Sequence, residues 1–488
     1  MNTLKGIADI KAYFKENKTP IYFISATNFN LLGIDEWISN FKFISHIDCF
    51  EGKHPNLFSP KEDVPHEEFT SIEDINNYLL KHPEVIHYLN SRSVNGELGK
   101  ALFLMFDEKT EELAKNLGLD VCFPTAELRN FLDNKVNTNR IAEKAGVACV
   151  PYVLSPVESY THLCKVSEEL GTNLVVQTPF GDSGHTTFFI SNETEFDTYK
   201  DEILKEKEVK IMKRINCYGT AIEGCVTQHG TLVAPLMTEL VGFKELTPYK
   251  GGWCGNEIYA NAFTPDIRDK AKKYTQLFGD QLRKEGYKGY FELDFLIDKD
   301  NGEIYLGELN PRVSGVSSLT NHSKFAMMDV PLFLFHMLEW MNVPYEIDVN
   351  ELTNRWAQAE NMDSWSQLVI KHTSKSLELV TKAPESGIWE MKINGNIQFK
   401  KMDAHRQSVI DDNEAFFLQI TQKDGYLYEG ADLGILVLRG RLMSDDFELS
   451  ERGKRWIKGL RSQYKAEMID ASLLEESDLY EQGDFKIM

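Results

Sequence analysis

The stretch that decides the fold lies at residues 289–312, which read GYFELDFLID, then KDNG, then EIYLGELNPR. In both outer segments apolar side chains alternate with polar ones, which is the period of a strand with one buried face. Asn301-Gly302 between them is a strong signal for a tight turn. The sequence therefore predicts an antiparallel hairpin of two strands.

This hairpin carries a concentration of oxygen-bearing side chains. Side chains two residues apart share a face, so Glu292 and Asp294 point one way on the first strand, and Glu308 and Asn310 on the second. Pairing around the turn brings Asp294 near Glu308. Two carboxylates and an amide oxygen suit Mg²⁺, which binds a few carboxylates together with substrate phosphates. Arg312 follows on the same face, within reach of a phosphoryl or carboxylate group.

The alternative is a solvent-exposed acidic hairpin with a structural arginine. It must explain why apolar residues alternate with the acids. A half-buried sheet face that carries carboxylates needs a counter-ion. The residues that favour the buried arrangement are Phe291, Leu293, Phe295, Leu306 and Leu309.

Composition excludes several classes of protein. The 488 residues are 42% hydrophobic and 26% charged, which is the ordinary globular range and enough for two to four domains. The formal net charge of −22 repels nucleic acid, so we expect no nucleic-acid partner. No apolar run is long enough to cross a membrane, the N-terminus has no apolar signal core, and none of the seven cysteines forms a C-x-x-C pair. We therefore expect a cytoplasmic protein with reduced thiols.

The pattern of elements divides the chain into three parts. Residues 1–115 alternate strand-like and helical segments, which predicts an α/β domain with a parallel sheet. Residues 116–345 mix helices with hairpins, an α+β arrangement, and residues 346–488 are strand-rich. In the first part we predict strands at 21–24, 41–44, 85–88 and 102–106, and a helix at 108–117. In the second we predict a helix at 140–145, capped by Asn137 or Thr138, and another at 266–285.

The sequence resembles the ATP-grasp superfamily, which includes D-alanine ligase, biotin carboxylase, carbamoyl phosphate synthetase and L-amino acid ligases. The matching element is Asp294-Phe-Leu-Ile-Asp followed by Glu308-Leu-Asn310-Pro-Arg312. The resemblance implies that Asp294, Glu308 and Asn310 hold Mg²⁺, or alternatively Mn²⁺, against the phosphates of ATP. It implies a catalytic role for Arg312 on the transferred phosphoryl group. It also implies an N-terminal pre-ATP-grasp domain, an ATP-grasp domain and a C-terminal domain.

The resemblance extends to other nucleotide-binding positions. Lys135, just before a helix, would touch ATP phosphates. The loop at 179–187 would cover the triphosphate, because glycines let backbone N–H groups close on phosphate oxygens. A linker between two sub-domains would hold adenine, and Glu223 would face the ribose or the phosphate-binding lysines. The further residues implied are Gly181, Ser183 and Gly184 in the loop and Lys213, Arg214 and Ile215 in the linker.

One position departs from the family pattern. The strand that enters the glycine loop normally ends in a lysine that binds the α- and β-phosphates, and this chain has Gln177 there. Glutamine keeps a hydrogen-bond donor but loses the charge. Three interpretations stay open at this point: weakened phosphate binding, another cation in the place of the lysine, or a catalytically impaired relative.

The function implied is an ADP-forming ligase. A carboxylate, with an amino acid as the leading candidate, would attack the γ-phosphate of ATP, and an amine would then attack the acyl phosphate. The partners expected are small-molecule carboxylate and amine substrates, with a homodimer as a further expectation. Two alternatives are a bicarbonate-activating enzyme like biotin carboxylase and an ATP-binding module without catalysis.

Overall fold

A computed structural model describes residues 2–61, 69–181 and 186–469. Ser183 and Gly184 of the predicted glycine loop lie outside these residues. Within the described ranges no helix combines the length and the apolar character needed to cross a bilayer. All seven cysteines are free thiols.

The N-terminal part is built on a five-stranded parallel sheet. Its strands, in spatial order, are Leu57–Phe58, Phe41–Ser45, Ile21–Ser25, Gly99–Phe103 and Leu119–Val121. The central strands are buried on both faces because helices cover the sheet, as parallel sheets require. The helices of this part are Ile7–Lys15, Ile72–Lys81, Pro83–Ser91, Glu108–Leu117 and Ala126–Asp133.

Later segments complete this N-terminal core. The helix Leu332–Trp340 is apolar on nearly every face and packs into the same cluster as the parallel sheet. The short strand Leu4–Lys5 pairs in parallel with Tyr345–Glu346, which ties the start of the chain to the end of the middle part. Other helices of this later region are Ser317–Thr320, Lys324–Met328 and Val349–Trp356.

A small antiparallel sheet of four strands forms one side of a cleft. Its strands, in spatial order, are Tyr152–Ser155, Val209–Lys213, Leu174–Gln177 and Thr187–Ile190. The helices Tyr160–Val166 and Glu193–Leu204 supply side chains to the apolar cluster on one face. The other face contributes Val175 and Met212 to a separate cluster with residues of the long sheet.

The other side of the cleft is a long, mostly antiparallel sheet of eleven strands. Spatially it begins with the predicted hairpin, Ile304–Asn310 next to Gly289–Asp298. It continues through Cys217–Thr227, Met237–Val241 and Trp253–Ile258, and Gly230–Val233 branches from Cys217–Thr227. The remaining strands, in spatial order, are Trp365–Lys371, Asp432–Arg439, Glu414–Gln419, Gly387–Met391 and Ile397–Lys401. The helices Lys135–Ala145 and Pro265–Lys284 pack against its first strands.

The long sheet crosses the predicted border near residue 345. Trp253–Ile258 from the middle part pairs antiparallel with Trp365–Lys371 from the strand-rich part. Strands on either side of that border therefore belong to one hydrogen-bonded surface. A three-stranded sheet and a closing helix complete the C-terminal part, at Glu378–Lys382, Tyr426–Leu427, Lys465–Met468 and Glu451–Arg461.

The predicted hairpin is confirmed, with one irregularity. Asp294 pairs with Glu308 and Glu292 with Asn310, as the alternation requires. The register then shifts, because Phe295 pairs with Leu306 and Gly307 is the extra residue. Such a bulge leaves a backbone group outside the ladder.

Two predictions of local structure were wrong. Residues 85–88 belong to the helix Pro83–Ser91, because His82 accepts a hydrogen bond from the Glu84 N–H and Pro83 occupies the first turn. The helix predicted at 140–145 begins five residues earlier, at Lys135. Its N-cap is Asn134, whose side chain accepts hydrogen bonds from the Val136 and Asn137 N–H groups, and not Asn137 or Thr138. The strand predicted at 102–106 is displaced, because the observed strand is Gly99–Phe103 and 104–106 lie outside it. The mixed α/β class and the other strands and helices named above agree with the prediction.

A buried histidine joins the N-terminal part to the strand Gly289–Asp298. His336 Nε2 lies 2.7 Å from the Cys122 carbonyl oxygen, and its Nδ1 accepts a hydrogen bond from the Tyr290 N–H at 3.0 Å. Both contacts require the neutral ring with its proton on Nε2. Burial lowers the pKa of His336 to about 3. The backbone leaves room only for glycine beside it, since a Cβ on Gly289 would lie 2.4 Å from Nδ1.

We expect His336 to make stability fall in acid. Its folded pKa is below its ordinary value of 6.5, so the unfolded chain binds more protons between those two values and stability falls as pH falls. The slope per group is on the order of 1 kcal/mol per pH unit. His336→Leu should be less stable at pH 8, by about 1–3 kcal/mol for the unpaired backbone groups, yet lose less stability than the wild type between pH 6.5 and 5.

Urea unfolding at several pH values measures this difference. His87→Asn is the matched control, because His87 is exposed on the surface of a neighbouring helix. Parallel pH profiles for the wild type and His336→Leu would contradict the neutral, buried ring.

Candidate active site

A small apolar cluster joins the small sheet to the hairpin. Three buried side chains, Val150, Val175 and Met212, pack with partly buried residues from the linker and the hairpin. The partly buried members are Tyr152, Ile215, Leu296 and Tyr305. An apolar surface of this kind suits an aromatic ring such as a purine base.

The hairpin brings the predicted metal ligands together next to this apolar cluster. Asn310 Nδ2 donates to Glu292 Oε2 at 2.9 Å. The amide oxygen of Asn310 takes no part in this hydrogen bond. The Asp294 carboxylate stands beside Glu308 across the strands. Glu292 was noted in the sequence, and the structure gives it a definite task, to orient the Asn310 amide.

A further carboxylate, Glu239, joins this group from the next strands. A Cβ on Gly219 would lie 2.6 Å from Glu239 Oε2, so only glycine lets the acid lie this close to the sheet. Sequence patterns did not select Glu239. Its position depends on the pairing of distant strands, which no local pattern reveals.

Burial and neighbouring charge raise the pKa of two of these carboxylates, Glu239 and Asp294. Burial, and then the nearby charges of Asp294 and Glu308, raise the pKa of Glu239 well above its usual range. Burial and the charge of Glu308 raise the pKa of Asp294 to about 6, although Arg312 and Lys135 oppose the shift. A cation would relieve this repulsion. The donor set of carboxylate and amide oxygens therefore fits a hard divalent cation.

Lys135 connects the glycine loop to the strand Ile304–Asn310. It is 4% exposed, and its Nζ donates to the Gly181 carbonyl oxygen at 2.6 Å and to Glu308 Oε1 at 2.9 Å. Its backbone N–H donates to the Pro179 oxygen at 2.8 Å. Gly181 has a φ of 136° and a Cβ there would lie 2.2 Å from Thr186, so the loop requires glycine at this point.

Arg312 has a guanidinium group that is largely uncommitted. Its one side-chain hydrogen bond within the described residues is a long one, 3.4 Å from Nη1 to the Val313 oxygen, and Nε is buried without a partner. No described carboxylate lies within ion-pair distance of it. The planar donor fork is therefore available to a phosphoryl or carboxylate group.

The predicted linker residues lie next to the apolar cluster. The Lys213 N–H donates to the Pro151 oxygen and the Arg214 N–H to the Asn173 oxygen, so both amides are already used. The Arg214 guanidinium stacks over the Phe189 ring at 5.0 Å. Of the three predicted linker residues, Ile215 packs against the apolar cluster.

Gln177 has a cationic neighbour that sequence patterns missed. Its Nε2 donates to Thr187 Oγ1 at 3.0 Å, and its Oε1 has no partner in the described residues. Lys210 lies directly opposite on the paired strand, so both side chains share the face that lines the cleft. Lys210 is 1% exposed, its Nζ donates to the carbonyl oxygen of the bulged Gly307 at 3.1 Å, and burial lowers its pKa to about 8.

Glu223 lies apart from the predicted phosphate-binding lysines. It is fully buried beside Tyr290, Ser317 and Thr320. Burial raises its pKa, while the three hydroxyl groups lower it in part. The structure thus brings Glu223 to the segment that follows Arg312 and not to Lys135 or Lys210.

Comparison with known proteins places this geometry in a wider group. No family model matches the chain. A curated relative, the ligase that joins L-glutamate to the butirosin acyl-carrier protein in Niallia circulans, is 22% identical over 265 residues. The match covers 51% of this chain and spans only 61% of the relative's length.

Solved structures match over nearly the whole chain. Biotin carboxylase of Campylobacter jejuni, in an ATP-type complex, gives a TM-score of 0.59 at 13% identity, with 96% of this chain and 97% of that one covered. Carboxyaminoimidazole ribonucleotide synthase of Aspergillus clavatus, solved with ATP, gives 0.54 at 12% identity, over 87% and 94%. The chain has the ATP-grasp fold. The predicted resemblance is thereby confirmed for the fold.

The biotin carboxylase domain of the 2-oxoglutarate carboxylase of Hydrogenobacter thermophilus gives a TM-score of 0.60 at 10% identity, over 96% of each chain. It was solved as a dimer with MgADP, ADP and bicarbonate. In this chain, Lys135 and Lys210 meet the carboxylates of the hairpin between the small and the long sheet.

We expect Mg²⁺ to stabilise the protein without any nucleotide. A bound cation removes repulsion among Asp294, Glu308 and Glu239, so millimolar MgCl₂ should raise Tm by about 2–4 °C over NaCl at equal ionic strength. The double variant Asp294→Asn, Glu308→Gln should lose this shift. In metal-free buffer, Asp294→Asn alone should melt above the wild type, because one repelling charge is gone.

Differential scanning fluorimetry measures both effects. Asp300→Asn is the matched control, since Asp300 is an exposed acid in the turn of the same hairpin. A Mg²⁺ shift that persists in the double variant would remove the metal assignment.

Proposed function

We propose that this protein is an ADP-forming ligase that joins a carboxylate, an amino acid or small acid, to an amine. In the first step a carboxylate oxygen attacks the γ-phosphorus of ATP, the bond to ADP breaks, and an acyl phosphate forms. In the second step the amine attacks the acyl carbon, the amide forms, phosphate leaves, and the amine gives up a proton.

The observation that carries the proposal is the meeting of two cations with the carboxylate hairpin. Lys135 contacts the glycine loop and Glu308 together, while Arg312 stands beside them with its donors uncommitted. Phosphoryl transfer needs little covalent chemistry from the protein and much neutralisation of charge. This set has no nucleophile of its own, which fits direct transfer between two substrates.

Each residue then has a distinct task. Lys135 holds the phosphates against the glycine loop, and Arg312 orients the acceptor carboxylate and balances the charge of the transferred phosphoryl group. Asp294, Glu308 and Asn310 would hold Mg²⁺, which neutralises phosphate charge when bound. The apolar cluster that contains Met212 and Ile215 binds the adenine ring.

The choice of an amino acid as substrate draws on the relative's name and on the local sequence. The curated relative ligates L-glutamate. The segment after Arg312, Val313 to Thr320, resembles the substrate side of carbamoyl phosphate synthetase more than the bicarbonate loop of biotin carboxylase. Bicarbonate activation is the second candidate, since biotin carboxylases share the fold over most of the chain. The homodimer stays a prediction.

Lys210 supports an active enzyme despite Gln177. The family lysine is absent from its usual strand, but a lysine stands at the paired position of the neighbouring strand, on the same cleft-lining face. No described carboxylate pairs with Lys210, and the carbonyl of Gly307 holds it next to Glu308. We propose that Lys210 provides the charge for the α- and β-phosphates that Gln177 cannot provide.

Exchanging the two residues tests this. Lys210→Gln should raise KM for ATP at least tenfold, because one phosphate-binding charge is lost. Gln177→Lys in the wild type should weaken ATP binding, since two lysines would then crowd one site. The double variant Gln177→Lys, Lys210→Gln should recover a large part of the affinity. Isothermal titration with MgATP gives the affinities, and a double variant no better than Lys210→Gln would refute the exchange.

Product analysis tests the reaction itself. Incubation with MgATP, pools of amino acids with small carboxylates, and bicarbonate should give ADP and phosphate only when a carboxylate and an amine are both present. Arg312→Lys should reduce kcat at least a hundredfold, because a point charge cannot replace the planar fork, and should leave MgATP binding nearly unchanged. AMP as product would contradict the acyl phosphate, and release of ADP with bicarbonate alone would favour the second candidate.

A further inference from the structure

A cluster of two histidines and one glutamate lies outside the residues assigned to the proposed reaction. Glu36 ends the short turn Ile34–Glu36 of the N-terminal part. His322 belongs to the segment after the hairpin, and His405 precedes the short turn Arg406–Ser408 of the strand-rich part. Nitrogen atoms of the two rings and a carboxylate oxygen of Glu36 all lie within 4.8 Å of one another. Three distant segments of the chain thus bring metal-binding side chains to one point.

His322 is the most enclosed member of the cluster. Its side chain is 2% exposed, and its Nε2 lies 3.0 Å from Glu36 Oε2 at an angle that makes no hydrogen bond, so this nitrogen has no partner among the described residues. A Cβ on Gly33 would lie 2.5 Å from the same Nε2, so only glycine lets the ring approach this closely. Burial lowers the pKa of His322, which keeps the ring neutral at neutral pH. A neutral ring offers the lone pair that a metal ion binds.

His405 and Glu36 supply the other two donor groups. His405 Nε2 lies 2.5 Å from Glu36 Oε1, and its Nδ1 accepts a hydrogen bond from the Gln407 N–H at 3.3 Å. Without a cation, the proton of this ring is therefore on Nε2, where it faces Glu36. A metal ion at Nε2 moves that proton to Nδ1, and the long hydrogen bond from Gln407 is the one that is given up. The carboxylate of Glu36 faces both rings through its two oxygens.

The charges around the cluster favour a cation. Burial lowers the pKa of His405, but the acids around it outweigh burial and raise the pKa above its ordinary value; these acids are Glu36, Asp403 and Asp35. Arg406 is a cation near His322, but Asp363 faces it as its counter-charge. The Glu36 side chain is 36% exposed, so an ion can reach the cluster from solvent.

A small cavity next to the two histidines provides space for a further ligand. His322 and His405 both line it, and it has room for about one water molecule. Zn²⁺ takes four ligands in a tetrahedron, and a site with three protein ligands leaves the fourth position to water. Donor atoms in such a tetrahedron lie roughly 3.3 Å apart, so movements of about 1 Å bring the three side chains into place.

We propose that Glu36, His322 and His405 bind a transition-metal ion of the Zn²⁺ type, with one water as the fourth ligand. Two imidazole nitrogens and one carboxylate suit zinc, whereas Mg²⁺ prefers the oxygen donors of the hairpin. The bound ion fastens the segment after Arg312 to the N-terminal part on one side and to the strand-rich part on the other. The site needs neither ATP nor the ligase reaction, so its test is independent of the proposed function.

Metal uptake by the full chain tests the site. The protein is stripped with EDTA, dialysed against Zn²⁺ in a buffer that contains excess Mg²⁺, and analysed for metal by mass spectrometry. We expect one tightly held Zn²⁺ per chain, and Co²⁺ in its place should give the visible absorption of a four-coordinate ion. Zn²⁺ should also raise Tm, because it binds the folded chain. No retention of Zn²⁺ by the wild type would overturn the proposal.

His405→Gln locates the ion. It removes one of the three protein ligands, so it should weaken zinc binding at least tenfold and abolish the rise in Tm. Glu36→Gln is a second variant with the same expected result, and both side chains are partly exposed, so neither change opens the core. His87→Gln is the matched control, because His87 is an exposed histidine of a surface helix. Zinc binding that is unchanged in both His405→Gln and Glu36→Gln would refute the assignment.

The same measurements separate this site from other groups that bind zinc. The seven cysteines are free thiols and remain in every variant, so binding through them would persist in His405→Gln and would remove the proposal. The double variant Asp294→Asn, Glu308→Gln removes the hairpin carboxylates and should keep the zinc site. Loss of zinc binding in that double variant, with retention in His405→Gln, would assign the ion to the hairpin instead.

Discussion

The pairing of Asp294 with Glu308 is the constraint on which the rest of the site depends. A strand register that shifted by one residue would turn both acids away from the cleft. In the observed register, with Glu239 alongside, burial and the neighbouring negative charges raise the pKa values of Glu239 and Asp294. Charges of the opposite sign must therefore gather around them, and Lys135 and Arg312 do so from a helix and from the segment after the hairpin. The active cleft is arranged around this excess of negative charge.

The bulge at Gly307 extends the same logic to the small sheet. Because Gly307 is the extra residue in the hairpin, its carbonyl oxygen is available to Lys210 on the small sheet. One irregular residue thus holds a buried cation beside Glu308. A regular ladder would have used that carbonyl between the strands. Gln177 in the place of the family lysine and the bulge at Gly307 are two features of the proposed phosphate-binding surface.

Local patterns in the sequence predicted the features that depend on neighbouring residues. Alternation with Asn301-Gly302 gave the hairpin and the partners within it, and periodicity gave the helices at 108–117 and 266–285. The helix that contains 85–88 was missed because four apolar or aromatic residues fit either period, and only the Pro83 start decides. Lys210, Glu239 and His405 carry no local signal. Each acquires its role from strands or loops far away in the sequence, so no spacing rule could have selected them.

The continuous sheet fixes the carboxylate cluster relative to the strand-rich part. Trp253–Ile258 and Trp365–Lys371 are hydrogen-bonded neighbours, so Gln367 in the strand-rich part and Glu239 at the carboxylate cluster are separated by a single strand. Neighbouring strands lie about 4.8 Å apart, so two such steps are about 10 Å. Packed strands do not slide as independent domains do. The distance between the carboxylate cluster and this strand of the strand-rich part is therefore set by the sheet.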